Sequence, residues 1–387
     1  MSIGTAFVYS ERFQEYNLSP THPLRPIRLK LTYELLRAYG FFEKSGMAVV
    51  QGREATDDEL ALVHSPKYID VVKSVSKTAE AGAKLYSFGI GPGDNPAFEG
   101  MHSASSFVVG SSITAVDLVM SGRVEHAINI SGGLHHAMRD RASGFCIYND
   151  AACAIAYASK KYGARVAYID IDAHHGDGVQ WAFYDRADIL TTSLHESGFF
   201  LFPGTGFVDE IGSGEGTGYS VNIPLEPGTY DDVYIWAFKE VVLPIVRAFR
   251  PDLIVSQNGC DSHFTDPLAQ LNLTTNAYEQ LYSMIHELAH EVCGGRLVAL
   301  GGGGYQIYHV VPRAWSLLSA SLTITELGDC IPGSWQEMCY NLSHTECPSR
   351  LRDEKQTVAK FKAGSIKEKT EATVLDVKKK LFPFFGL

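Results

Sequence analysis

The chain has 387 residues, 45% hydrophobic and 20% charged, an ordinary globular balance that can bury a sizeable core in one large domain or two. A formal net charge of -11 and a pI near 5.7 disfavour nonspecific binding to a nucleic-acid backbone, so no nucleic-acid partner is expected. Seven cysteines without a C-x-x-C pair predict reduced thiols in a cytoplasmic protein. The first residues lack a cationic leader and no run of about eighteen apolar residues occurs, so neither export nor membrane insertion is expected.

Residues 3–9 predict a first strand, and the segment from His22 a helix that Pro26 opens and Gly40 closes. Arg28 falls in its first turn, where a surface cation is the ordinary reading. Thr56 and Asp57 offer helix caps, and Pro66 divides the periodic stretch after them into two helices. Phe88 to Gly100 packs Gly and Pro too densely for a regular element; Asp94 at its centre is as readily an exposed turn residue as a substrate contact. A helix over 105–122 leads to a short apolar strand, two glycines and the tandem His135 and His136.

Asn149 caps an Ala-rich helix, which is followed by the apolar strand Val166 to Ile169. The next strand ends in Ser193, Leu194 and His195, ahead of a glycine-bounded loop that should expose some of Phe199, Phe200 and Phe202. A strand begins at Ser220, a helix from Asp231 should break near Pro244, and Asp261 lies just past the apolar run at 253–255. A helix from Thr274, a strand, four glycines at 301–304, Tyr305 and a last helix to Thr323 complete the pattern. Such alternation predicts the α/β class, a single domain with a mainly parallel central sheet flanked by helices. The pattern weakens beyond Cys330, so residues 1–325 read as the catalytic domain and 326–387 as a helical extension packed on it or trailing it.

In open parallel sheets, ligands collect beyond the carboxyl ends of the strands, which here carry the chemistry-bearing residues. The stretch YIDIDAHHGDGV, residues 168–179, crowds carboxylates and imidazoles at the end of an apolar run. Strand alternation sends Asp170, Asp172 and His174 to one side and His175 elsewhere. Converging carboxylates and an imidazole demand compensation when buried, and a divalent metal supplies it. Asp172, His174 and Asp261 would give two carboxylates and one imidazole, leaving a coordination position open; such ligands suit zinc, iron or manganese. His135 and His136 could then carry a water proton to a leaving amine, with Asp170 and Asp177 orienting the rings and Tyr305 donating to an oxyanion.

The motifs GGLHH, YIDIDAHHGDGVQ, SLH with FPGTG, QNGCD and LGGGGY, in this order, resemble the zinc-dependent histone deacetylase family, in particular its bacterial acetoin-utilisation deacetylases. The likeness runs from His22 to about Pro312. It implies that Asp172, His174 and Asp261 hold Zn2+, with Fe2+ able to share the site, and that Asp170 and Asp177 pair with the tandem histidines. It further implies His136 as general base and acid, His135 as its partner, and Tyr305 as the group polarising the acyl oxygen. A potassium site would use the carbonyls of His174 and Leu194 with the side chains of Asp170, Asp172 and Ser193. Gly144, Phe145 and Phe202 would shape a tunnel for an acyl-lysine stem, Asp94 would grip substrate at its rim, and Arg28 would line a cavity for the released acid. The implied substrates are acyl-lysine proteins or small acylated amines.

The loop ESGFFL and the run SHFTDP after Asp261 depart from the pattern, which leaves acyl preference open together with oligomeric state and the choice of zinc or iron. Two rival readings exist. A two-manganese ureohydrolase of the arginase type shares the Asp-Ala-His motif but needs carboxylates where this chain has Gly176 and His263. A non-catalytic acyl-lysine binding module would have no use for a proton shuttle.

Overall fold

A computed structural model describes residues 3–79, 82–354 and 360–387. Eight strands form one sheet: β1 (Ile3–Val8), β2 (Ala48–Val50), β3 (Val124–Asn129), β4 (Val166–Asp170), β5 (Ile189–Glu196), β6 (Ser220–Leu225), β7 (Leu253–Gln257) and β8 (Leu297–Leu300). Every pairing is parallel, in the order β2-β1-β3-β8-β7-β4-β5-β6. Parallel neighbours need long crossovers, here mostly helical, and these helices cover both faces, so β4, β5, β7 and β8 are buried at every residue.

The strand order positions the site. Because β8 and β7 insert between β3 and β4, the carboxyl ends of these four strands lie side by side, with Asn129 against Leu300, Leu300 against Gln257 and Gln257 against Asp170. The segments carrying His135, Tyr305, Asp261 and Asp172 leave the sheet at adjacent points. Behind β3 lies the helix Met101–Met120, the one helix among the described residues long and apolar enough to cross a bilayer. Its apolar window is 78% buried inside the protein, as for a helix that is hydrophobic all round and serves as core.

The proline at 244 does not break its helix, which runs unbroken from Asp231 to Phe249. Val241, Val242, Ile245 and Val246 are all fully buried on either side of it. An interior proline costs about 3 kcal/mol. Burying one aliphatic side chain contributes roughly 1.5–3 kcal/mol, so four of them outweigh the lost hydrogen bond.

The segment after residue 325 packs on the sheet domain. Trp335 is buried and its Nε1–H donates to the Leu31 carbonyl at 2.9 Å. The helix Lys360–Leu381 buries Val374, Val377 and Leu381 and lies against β6 and the helix Asp231–Phe249. Between them Asp353 acts as a clasp, accepting from Arg313 Nη1 at 2.8 Å, from the Thr275 amide at 2.9 Å and from His263 Nε2–H at 2.8 Å. His263 Nδ1 accepts from the Thr265 amide, which fixes that tautomer.

Burial works against the Asp353 charge, but His263 and Arg313 overcome it and hold the carboxyl well below the usual range. A carboxyl depressed on folding contributes stability above its unfolded pKa, about 3.9, and loses it as pH falls toward the folded value. Asp353→Asn should therefore destabilise the protein by on the order of 3 kcal/mol at pH 7. In denaturant unfolding the gap from wild type should narrow as pH drops below about 4; a gap independent of pH would show that the charge is not what the clasp uses.

Candidate active site and metal centre

The turn after β4 is tied by its own carboxylates. Asp170 Oδ1 accepts from the Asp172 amide at 3.1 Å, Asp172 Oδ1 from the His174 amide at 3.0 Å, and Asp261 Oδ1 from the Ala173 amide at 2.8 Å. These contacts aim the side chains of Asp172, His174 and Asp261 at one point. His174 Nδ1 lies 3.2 Å from Asp172 Oδ1 and 2.9 Å from Asp261 Oδ2, and the three ligand atoms fall within 4.8 Å of one another. Asp172 Oδ2 accepts from Gln257 Nε2 at 2.6 Å and from the Gly303 amide at 2.7 Å. A Cβ at Gly259 would stand 2.1 Å from Asp172 Oδ2, and one at Gly303 the same distance from Asp261 Oδ2, so both glycines are required by close approach.

The electrostatics of this trio fit a cation. Burial pushes the Asp261 carboxyl up to about 6, and the charge of Asp172 adds to it. For Asp172 burial acts in the same direction but the charges of His135 and His174 win and hold it well below the usual range. His174 is driven far above an ordinary imidazole because its two carboxylates outweigh its own burial. In the protein alone, protons hold these groups together. Two carboxylate oxygens and one imidazole nitrogen are donors that could hold a divalent ion, and a dication there would relieve the same repulsion. Asp172 also lines a narrow cavity together with both tandem histidines, Gly144, Phe145 and Tyr305.

His135 and His136 are both buried and differ in their partners. His135 Nδ1 lies 2.7 Å from Asp170 Oδ2, His136 Nδ1 lies 2.7 Å from Asp177 Oδ1, and their Nε2 atoms face each other at 3.0 Å. That last contact requires one Nε2–H and one lone pair. Burial lowers both rings, but Asp170 and Asp172 overcome it at His135 and raise that ring to about 9. His136 is lowered to about 4 by burial and then by the His135 charge, against the pull of Asp177. At neutral pH His135 carries the extra proton and His136 Nε2 presents the lone pair. Tyr305 is half-buried, its ring 6.5 Å from that of His174 and 5.8 Å from that of Phe145. Loss of water and the charges of Asp261 and Asp172 push its phenol well above the usual range, so it remains an O–H donor.

Phe145 and Phe202 border the site on two sides, Phe145 beside Tyr305 and Phe202 with its ring 5.0 Å from that of His136. Phe199, Phe200 and Phe202 are all exposed. Gly144 (φ 51°) precedes Phe145 in the left-handed region, and a Cβ on it would come within 2.5 Å of the His136 ring. Asp94 is exposed; its carbonyl accepts from His22 Nε2 at 3.2 Å, and the His22 ring meets Phe145 edge-on at 4.5 Å. The loop of Asp94 is thus fastened to the rim through His22. Of the residues expected to hold potassium, Asp170 pairs in register with Ser193. There the Ser193 hydroxyl donates to His195 Nδ1 at 2.8 Å and the Leu194 carbonyl accepts from Tyr234 at 3.1 Å, each oxygen keeping a lone pair.

Arg28 is buried, not on the surface as its place in a first helical turn suggested. It shares the inward stripe of Leu31, Thr32 and Leu35, a spacing of three, four and seven that the sequence displays. Its Nη1 donates to the Gly304 carbonyl at 3.2 Å and its guanidinium stands 5.0 Å over the Trp315 ring; among the described residues it forms no ion pair. A buried cation with spare donors lies beneath the Tyr305 loop.

Sequence reasoning overlooked several supports. Asp266, pushed up to about 7 by burial and by Asp261, accepts from the Tyr305 amide at 2.9 Å. Tyr168 donates to Asp170 Oδ2 at 2.7 Å, and Asp150 accepts from the Gly133 and Leu134 amides, shaping the turn before His135. Gln257 and Tyr168 lie inside the quoted motifs and His22 opens the matched stretch, but no residue pattern marks Asp266.

The chain is similar to several known proteins. A family profile for the histone deacetylase domain matches residues 22–322. The acetoin utilization protein AcuC of Bacillus subtilis (strain 168) is 48% identical over 331 residues, 86% of this chain and 85% of that protein. The AcuC of Staphylococcus aureus (strain MSSA476) is 42% identical over 353 residues, 91% of this chain and 90% of its own. The crystal structure of an HDAC homologue from Aquifex aeolicus superposes with a TM-score of 0.86 at 31% identity, covering 97% of this chain and all of that one.

Proposed function

The chain belongs to the histone deacetylase family, and from that premise we propose that it is a metal-dependent amidohydrolase that removes acetyl or another short acyl group from lysine side chains of proteins or from small acylated amines. The observation that carries the reading is the convergence of Asp172, His174 and Asp261 within 4.8 Å, beside a cavity that Asp172 lines together with His136 and Tyr305.

Asp172, His174 and Asp261 would hold Zn2+ or Fe2+ through two oxygens and one nitrogen. A cation so held supplies Lewis acidity, polarising an amide carbonyl and acidifying a water molecule. His136 Nε2 takes a proton from the attacking water as its oxygen bonds to the acyl carbon. The same nitrogen then returns that proton to the amine as the carbon–nitrogen bond breaks, giving one carboxylic acid and one amine. Asp177 holds the His136 ring through Nδ1. His135, kept protonated by Asp170, supports the charge that develops on the acyl oxygen, to which Tyr305 donates.

Gly144, Phe145 and Phe202 suit an acyl-lysine stem between apolar walls, Asp94 is at the rim for a substrate backbone, and Arg28 offers donors to a carboxylate product. Potassium at Asp170, Asp172, His174, Ser193 and Leu194 would brace the turn that bears the ligands. A reducing, cytoplasmic compartment fits seven cysteines that are all unpaired. A second metal of the ureohydrolase type finds no ligands: His263 is committed to Asp353 and Thr265, and a side chain at Gly176 would meet Asp170 at 2.3 Å.

Acyl-lysine peptides, acetylated polyamines and other small acylated amines, assayed as one panel, test the substrate class; hydrolysis of none of them would overturn it. Tyr305→Phe should keep metal and fold while kcat falls on the order of 10² to 10³, as for loss of one oxyanion donor. A near-normal rate would show that the hydroxyl does not touch the acyl oxygen, and lost metal would place the residue in the metal site.

A further inference from the structure

At the opposite end of the sheet, three histidines converge that the proposed chemistry does not use. His126 lies near the amino end of β3, whose carboxyl end leads toward His135. His286 and His290 are one turn apart in the helix Thr275–Cys293, so both face β3. His286 Nε2 stands 3.0 Å from His126 Nε2 and 3.0 Å from His290 Nε2, and ligand nitrogens of all three rings lie within 4.8 Å of one another. The rings are nearly perpendicular to each other, at 84°, 82° and 80°, with centroids 4.6–5.1 Å apart.

Protons alone do not satisfy this arrangement. A ring nitrogen carries either one hydrogen or one lone pair, so His286 Nε2 can form a linear hydrogen bond with only one of its two neighbours. His126 is 3% exposed, and its Nδ1 is buried without a hydrogen-bond partner. Three lone pairs aimed at one cation remove the conflict. Nitrogens around a tetrahedral zinc, each about 2.0 Å from it, stand roughly 3.3 Å apart, close to the contacts seen here.

We propose that His126, His286 and His290 form a second metal site, which takes a divalent ion of the zinc or copper class through three imidazole nitrogens and ties β3 to the helix Thr275–Cys293. Ligands that are all neutral nitrogens select such ions over magnesium or calcium. His290 is exposed and His286 borders a surface groove also lined by Glu279, Glu287 and Glu326. The groove gives a path for the ion, carboxylates along it, and water as the fourth ligand. A Cβ on Gly295 would stand 2.8 Å from the His290 ring, so this glycine lets the turn before β8 close over the site.

The test uses the full chain, stripped of metal and titrated with Zn2+ against a chromophoric chelator. Wild type should bind two equivalents, Asp261→Ala one, and His290→Ala one with its deacetylase activity unchanged. Cu2+ loaded into Asp261→Ala should give an electron paramagnetic resonance spectrum with nitrogen superhyperfine structure, lost in Asp261→Ala/His290→Ala. His290 is exposed, so its substitution spares the fold; His286→Ala, checked by circular dichroism, is the second variant. The proposal is overturned if Asp261→Ala binds no metal, if its equivalent survives both histidine substitutions, or if the copper spectrum shows no nitrogen coupling. An equivalent lost with His290 and kept without Asp261 establishes the site whatever the other centre does.

Discussion

His136→Ala is expected to lower kcat by about 10⁴, the upper end for loss of a general base and acid, whereas His135→Ala should lose roughly 10². Adjacent in sequence, the two rings are made unequal by their partners. Asp170, fully buried and also bonded to Tyr168, holds the extra proton on His135, and that positive ring then keeps its neighbour His136 neutral and unprotonated at Nε2. The signs give a pH profile. A base lowered to about 4 remains competent down to acidic pH, and its loss makes the acidic limb. A ring raised to about 9 keeps its charge until pH climbs through that value, and its loss makes the basic limb. A dication beside Asp172 opposes the charge on His135 and moves the basic limb to lower pH. His135→Ala should erase the basic limb and retain the acidic one. If His135→Ala is inactive while His136→Ala turns over with its basic limb intact, the two roles are exchanged.

Asp261→Ala should lose the catalytic metal and the activity together. Its Oδ2 would be one of the three ligand atoms, and its Oδ1 accepts from the Ala173 amide in the turn that aims the other two. Outer-shell partners of a metal alone are worth about 10–100-fold in affinity, so removal of a ligand should exceed roughly 10²-fold. Asp261→Asn keeps an acceptor for Ala173 and separates the two roles: the fold should survive as in wild type while metal affinity still falls. Elemental analysis beside circular dichroism reads both. Full activity in Asp261→Ala, with its metal retained, would remove this residue from the site.

The convergence of the candidate residues was legible in the sequence because each group follows an apolar run, and in a parallel sheet such positions share one edge. Asp170, Asp172, His174, Asp261, the tandem histidines and Tyr305 all meet there. The insertion of β7 and β8 between β3 and β4 was not legible, since right-handed crossovers permit many strand orders. For Arg28 the ordinary reading of a first-turn cation as a surface residue fails, and its burial follows from the stripe that it shares with Leu31 and Leu35. Pro244 misled because a local propensity was read without the burial that overrides it. The Asp353 clasp on His263 and the contact of His126 with His286, 90 and 160 residues apart in the chain, exist only through tertiary folding.

The most direct measurement of the central claim is acetate release from an Nε-acetyl-lysine peptide by metal-stripped wild-type protein, before and after Zn2+ or Fe2+ is restored. The account predicts no turnover by the stripped protein and, after restoration, one acetate for each free lysine formed. Equal rates before and after, or no hydrolysis with either metal, would contradict it.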